Sequence, residues 1–249
     1  MAIAIIPARL ASTRFPRKLL ANKTGKPLIC HVIDQVRQAK LVTKVIVATD
    51  HQDIANAIGK QDDIDVRMTR EDHPNGTSRL AEVAQTLPED CGIIVNVQGD
   101  EPLIEPAVID KLIAGLEADH SAPMATLAST FAPDEDPTDS NIVKLVVDQK
   151  NHAMYFSRSL IPFDRDGDSP DFKPFKHPGT YAYRRDFLIK YAALPATPLE
   201  QLEKLEQLRA LEHGYKIAVI KADCRHHGID TEEQYDAFVE YWKSQHENH

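Results

Sequence analysis

Four short strand-like segments separated by amphipathic stretches constrain this chain more than any other feature. Residues 1–6, Lys44 to Ala48, Ile64 to Met68 and Ile93 to Val97 each read as a strand. The last is nearly continuous in apolar residues, as expected in the middle of a parallel sheet. Between them, Pro27 to Ala39 carries Leu28, Ile29, Val32, Ile33 and Val36 at helical spacing, and Gln52 to Gly59 is a short helix closed by glycine. Thr77 or Ser78 caps a further helix running through Leu87, and another covers Ala107 to Leu116. The order β-α-β-α-β-α-β-α predicts an α/β fold with a doubly wound, mostly parallel sheet and right-handed crossovers.

After Pro123 the texture changes. Met124 to Thr130, Val143 to Val147, Ala153 to Ser157 and the aromatic-alternating His177 to Arg184 read as strands without long helices between them. Acidic or proline-rich loops occupy Asp134 to Pro137 and Asp164 to Pro174. These features predict one domain over residues 1–249 with a strand-rich excursion at about 123–183. A helix over Leu199 to His213 would place Leu202, Leu205, Leu208 and Leu211 on a buried stripe, with Glu206 and Gln207 beside it. A strand follows at Lys216 to Lys221. The last helix carries Tyr235, Phe238, Val239 and Trp242, and starts at a Thr231–Gln234 capping box. His246 and His249 fall in a frayed tail.

In such folds ligands bind beyond the carboxyl ends of the strands, so the loops there carry the function. The loop after the first strand, which Pro7 is expected to end, holds Arg9, Arg14, Arg17 and Lys18 among the small residues Ala8, Ala11, Ser12 and Thr13. Accessible amides and converging cations make a polyphosphate cradle, although neither G-x-x-x-x-G-K-[ST] nor G-x-G-x-x-G is present. The net charge of −9 gives this weight: a polyanion must be met by a local cluster of cations, and general nucleic-acid binding is not expected.

The second informative loop is Gln98-Gly99-Asp100-Glu101-Pro102. Gly99 would let the backbone approach a ligand, and Asp100 lies too far from the helix starting near Pro106 to cap it, which leaves metal or ligand contact. Pro74-Asn75-Gly76 is a turn feeding a helix. Asp230 is not needed as a cap and is free to face a site. Arg158 reads equally as a surface ion pair and His177 as a structural histidine. Three unpaired cysteines, Cys30, Cys91 and Cys224, predict a reducing, cytoplasmic setting, and no signal peptide or membrane-spanning run is expected.

The ordered set of motifs resembles the 3-deoxy-manno-octulosonate (Kdo) cytidylyltransferases. The first half carries Ile6-Pro7-Ala8-Arg9, Ala11-Ser12-Thr13-Arg14, Gly25-Lys26-Pro27, Val47-Ala48-Thr49-Asp50, Gly76-Thr77 with Arg79-Leu80-Ala81-Glu82-Val83, and Val95 to Pro102. The second carries Tyr155-Phe156-Ser157-Arg158, Ile161-Pro162, Pro198-Leu199-Glu200, Leu205 to Arg209 and Gly228-Ile229-Asp230-Thr231. The N-terminal motif is shared with sialic acid cytidylyltransferases. The resemblance implies a Rossmann-like nucleotidyltransferase, usually a homodimer, that joins CTP to Kdo. It assigns CTP to Ala8, Arg9, Ser12, Arg14, Lys18, Gly76, Thr77, Arg79 and Gln98, with Lys18, Arg9 and Asp100 in the chemistry. Mg²⁺ falls to Asp100 and Asp230, and the sugar acid to Arg158, His177, Tyr181, Glu206 and Gln207. The excursion would form the dimer and take the sugar. Arg17 stands where such chains usually have glycine, and Thr180 and Ala182 also depart from the pattern. An 8-amino-Kdo or sialic acid enzyme, or a silent nucleotide-binding protein, stays open as an alternative.

Overall fold

The computed structural model describes residues 1–167, 172–224 and 228–246. The chain forms two compact units, Met1–Asp110 with His226–His249, and Lys111–Arg225. In the first, β1 (Ala2–Ala8), β2 (Val42–Thr49), β3 (Ile64–Met68) and β4 (Ile93–Asn96) pair in parallel in the order β3-β2-β1-β4. Helices α1 (Leu28–Val36), α2 (Gln52–Ile58), α3 (Gly76–Gln85) and α4 (Pro106–Ala118) follow the strands in turn. This is the expected parallel α/β arrangement. Because the strands are parallel, the segments after β1 to β4 all leave from one edge.

Two local expectations change. Pro7 lies inside β1, paired with Ala48, and does not end the strand. Its edge of β1 is the one on which the Ile5 carbonyl accepts from Val97, and β4 has already ended there, so the missing N–H breaks no ladder bond. Helix α3 starts two to three residues earlier than the hydroxyl caps suggest. Asn75 is its cap, its side chain accepting from the Ser78 amide at 2.9 Å.

In the second unit, β5 (Met124–Thr130) pairs with β8 (Phe175–Lys176) and β9 (Tyr181–Arg184), all antiparallel, and β6 (Lys144–Val147) joins β7 (Ala153–Ser157) to β8. The strand expected over His177 to Arg184 is shorter: only Tyr181–Arg184 is a strand, and His177 lies in the segment between β8 and β9. Helix α5 (Arg185–Ala192) had no counterpart in the sequence reading. The long helix expected over 199–213 is also two, α6 (Pro198–Glu203) and α7 (Gln207–Glu212), parted by Lys204 at φ 54°. The break turns Leu202 out to solvent, 79% exposed, while Leu205 and Leu208 stay buried. Strand β10 (Ile217–Lys221) pairs in parallel with β5.

The chain then returns to the first unit as α8 (Glu232–His246), entered through the expected Thr231–Gln234 box. Tyr235, Phe238 and Val239 pack with Leu28 and Ile229, and Phe15 from the basic loop rests on this cluster. The Tyr235 hydroxyl accepts from the Lys23 amide at 2.8 Å. His246 ends α8, and His249 lies outside the described residues. No helix among the described residues is long and apolar enough to cross a membrane.

Candidate active site

The loops after β1, β3 and β4, together with the segment entering α8, enclose a cavity of about 400 Å³. Arg9, Ser12, Arg14, Lys18, Gly76, Arg79, Gln98, Asp100 and Asp230, all expected on sequence grounds, line it. Ala8 and Thr77 are buried and do not face it.

Lys18 organises the floor. It begins a 3-10 turn, Lys18–Leu20, held by the buried Leu19 and by the Leu20 amide donating to the Arg17 carbonyl. Its ammonium donates to Asp100 Oδ2 at 2.5 Å, to the Ile229 carbonyl at 2.7 Å and to Asp230 Oδ1 at 3.2 Å. All three of its protons thus have an acceptor among Asp100, Ile229 and Asp230. Arg14 holds the other oxygen of Asp230 at 2.8 Å. The Ile229 amide donates to the Asp100 carbonyl at 2.9 Å, which ties the segment before α8 to the end of β4 and brings two carboxylates 130 residues apart onto one cation. Among the described residues no group of three or more His, Cys, Asp or Glu side chains gathers as a metal site.

Gly99 lines the cavity, and packing needs it as well. A Cβ there would sit 3.0 Å from the Pro7 carbonyl oxygen and 3.3 Å from Ile29, so glycine is required by the packing of β1 against the loop. The next carboxyl, Glu101, is buried, and that burial, with the charge of Asp100 beside it, pushes it up to about 8.

Arg79 is held rather than free. Its guanidinium donates to Asp50 Oδ2 at 2.7 Å and to Thr69 at 2.5 Å. Asp50 also accepts from the Leu10 amide at 3.3 Å. Arg9, by contrast, is exposed and has no hydrogen-bond or ion-pair partner among the described residues. Arg17 takes a left-handed conformation, φ 57°, which glycine adopts without penalty, and its side chain reaches Asp53 at 2.7 Å. Sequence reasoning gave no role to Asp50, His73 or Asn75. The signal for Asp50 was its place at a strand's carboxyl end. His73 and Asn75 sat beside or within a glycine turn feeding a helix, a second possible ligand-facing loop whose signal alone was weak.

The sugar-acid candidates all belong to the second unit. His177 donates from Nε2 to Thr126 at 2.8 Å, because the one Thr126 hydroxyl proton goes to the Thr180 carbonyl. Gln207 approaches Nδ1 at 3.5 Å, which fixes the neutral tautomer. Burial pushes His177 down to about 3. Tyr181 lies edge-on to the imidazole with centroids 5.3 Å apart, and burial raises its hydroxyl well above the usual range. Glu206 precedes Gln207 and gives its carbonyl to the Tyr191 hydroxyl at 2.6 Å. Arg158 is not joined to this group. Its guanidinium donates to the carbonyls of Glu203 at 2.8 Å and Ser140 at 3.0 Å.

Comparison with known proteins agrees with this geometry. Residues 3–217 match the cytidylyltransferase family model. A 3-deoxy-manno-octulosonate cytidylyltransferase of Geobacter metallireducens is 49% identical over 95% of this chain and 96% of its own length. One from Solibacter usitatus is 46% identical over 97% and 94%. Among solved structures, a CMP:2-keto-3-deoxy-manno-octonic acid synthetase complexed with CTP superposes with a TM-score of 0.90 at 37% identity, over 98% of this chain and 99% of that one. A 4-diphosphocytidyl-2C-methyl-D-erythritol synthase from Anaerococcus prevotii, 16% identical with a TM-score of 0.62, shares the fold. With its motifs in family order and its cations and carboxylates gathered at the ends of parallel strands, this chain belongs to the 3-deoxy-manno-octulosonate cytidylyltransferases.

Proposed function

We propose that this protein joins CTP to Kdo, giving CMP-Kdo and pyrophosphate, the activation step that supplies Kdo for lipopolysaccharide assembly. The observation that carries the reading is Lys18 set between Asp100 and Asp230 in a cavity that also holds Arg9, Arg14 and Gln98. The sugar's 2-hydroxyl attacks the α-phosphorus in line and pyrophosphate leaves. Such a reaction needs positioning and charge neutralisation more than covalent chemistry. Arg9, the unengaged cation, takes up triphosphate charge, with Ser12 and the loop amides. Gln98 and the turn at Gly76 face the nucleoside. Lys18 stabilises charge that develops as pyrophosphate departs. Arg158, His177, Tyr181, Glu206 and Gln207 are assigned to the sugar acid.

Asp100 and Asp230 fit a magnesium ion: they are two carboxylates already sharing one positive charge, and magnesium takes one or two carboxylates completed by phosphate oxygens and water. When bound there it would neutralise triphosphate charge and lower the pKa of a coordinated hydroxyl. We further infer a cytoplasmic setting, supported by three buried cysteines outside any disulfide, and a homodimer. Exposed Phe163 and Leu160 in the second unit are the kind of apolar surface a second copy covers.

The deciding experiment is pyrophosphate release from each nucleoside triphosphate with Kdo, 8-amino-Kdo and sialic acid, with and without Mg²⁺. Turnover is expected with CTP and Kdo in the presence of Mg²⁺. Preference for another sugar acid, or no turnover at all, rejects the reading.

A further inference from the structure

Arg158 is held through its amide, its carbonyl and two guanidinium nitrogens, yet its charge is left unpaired. In the second unit β7 ends at Ser157, and Glu203 is the last residue of α6. The Glu203 carboxylate accepts from the Ser157 hydroxyl at 2.7 Å through one oxygen and from the Arg158 amide at 2.9 Å through the other. Ser157 is buried, and its hydroxyl also accepts from the Ser159 amide at 3.0 Å, so its single proton is committed to Glu203. The Glu203 carbonyl accepts from Arg158 Nε at 2.8 Å. Side chain and main chain of one residue thus hold both the backbone and the guanidinium of Arg158.

The opposite contact is fixed separately. Lys144 is fully buried, and its ammonium donates to the carbonyls of Asp139 at 2.9 Å, Ile142 at 2.7 Å and Arg158. Between the first two lies Ser140, whose carbonyl accepts from Arg158 Nη1 at 3.0 Å. Both guanidinium bonds therefore end on neutral carbonyls. Among the described residues no carboxylate pairs with this guanidinium, and Nη2 has no hydrogen-bond partner. A planar cation fixed in this way offers its remaining donors and its whole charge to an incoming carboxylate.

From this geometry we infer that Glu203 is a positioning residue for the sugar acid: it holds Arg158 with its unpaired end presented to the ligand's carboxylate. The inference rests on the reading that Arg158 takes the carboxylate of Kdo. Glu203 is followed by the left-handed Lys204 and then by Leu205, Glu206 and Gln207. The residue that fixes Arg158 therefore also opens the turn that leads to two further sugar-acid candidates. An alanine at 203 keeps the carbonyl but removes both carboxylate ties, and a glutamine keeps one oxygen where there were two.

The test uses the full chain in two arms. In the first, the Arg158 Nε–H signal is followed in ¹⁵N spectra, assigned by its loss in R158K. Slow exchange with solvent is expected in wild type and fast exchange in E203A. An Arg158 signal that exchanges as slowly in E203A as in wild type overturns the inference. In the second, kcat/KM for Kdo and KM for CTP are measured for wild type, E203A, R158A and the double variant. E203A is expected to lower kcat/KM for Kdo about tenfold, the scale of one charge-assisted hydrogen bond, with KM for CTP unchanged. In the R158A background E203A should cost nothing further, because the two residues act through one contact. Equal losses in both backgrounds, or a matching rise in KM for CTP, are the mark of a merely structural role and overturn the inference. So does R158A with wild-type kcat/KM for Kdo. If E203A does not fold, E203Q carries both arms, with a smaller loss expected. Absence of turnover by wild type refutes the functional reading instead, and leaves the spectra to decide whether Glu203 holds Arg158.

Discussion

The Arg79 guanidinium donates to Asp50 across 2.7 Å, with the two side chains only 5% and 10% exposed. The pair ties the start of α3 to the end of β2, and the Leu10 amide adds the loop after β1 to the same carboxylate. Breaking a buried pair by removing one partner typically costs about 3–5 kcal/mol, because a desolvated charge is left behind. D50N is expected to lose about 3 kcal/mol in denaturant titration, as well as raising the KM for CTP. A loss within error of wild type would show that water reaches Arg79 and that the pair does not organise the loop.

Lys18 supports a two-part prediction. K18M should lower kcat about a hundredfold, the usual consequence of removing one donor aimed at developing charge. It also leaves Asp100 and Asp230 without the ammonium they share. The variant's melting temperature should therefore rise more on addition of MgCl₂ than that of wild type. Equal shifts in a thermal melt would mean that the ammonium and a divalent ion do not compete for these carboxylates.

Much of this was legible beforehand because period and punctuation are local. Strands β1 and β4 and the second half of β2 are buried on both faces, so their apolar runs stand out against any neighbour. What the sequence concealed was set by geometry beyond the neighbouring residues. Lys204 gives no sign that it takes a left-handed turn and splits the stripe from Leu202 to Leu211. Pro7 looked like a strand end because its harmlessness depends on where β4 stops. Arg158 read as a surface ion pair, yet its donors close onto two backbone carbonyls. Asp100 and Asp230 could be named singly, but their shared ammonium depends on the path of the chain into α8.

Arg17 offers a test of competing small effects. A non-glycine residue at φ 57° costs about 1 kcal/mol, which R17G would relieve. Glycine gives back about 0.5–1 kcal/mol through the greater freedom of the unfolded chain. The ion pair with Asp53 is exposed on both sides and contributes little. R17G should therefore melt within about 3 °C of wild type by calorimetry. A drop well beyond that would mean that the Arg17 side chain supports the loop in a way an exposed pair cannot.

Two buried groups give stability opposite slopes with pH. His177 is pushed down to about 3 in the folded protein from an ordinary 6.5, so the unfolded chain binds its proton first. Its contribution is complete above pH 6.5 and is lost as pH falls from there toward 3, at no more than about 1.4 kcal/mol per unit. Glu101 runs the other way. Its carboxyl is pushed up to about 8 from 4.5, so the folded state keeps a proton that the unfolded chain gives up. Its contribution is complete below pH 4.5 and declines as pH rises toward 8. In metal-free, nucleotide-free buffer, denaturant titrations from pH 4 to 9 should place maximal stability between 4.5 and 6.5, where the two slopes oppose. E101Q should flatten the alkaline side and be the more stable protein at pH 8, whereas H177Q should flatten the acidic side alone. If E101Q is no more stable than wild type at pH 8, water or a counter-charge relieves Glu101 in the folded state, and its burial is not what sets the alkaline limit.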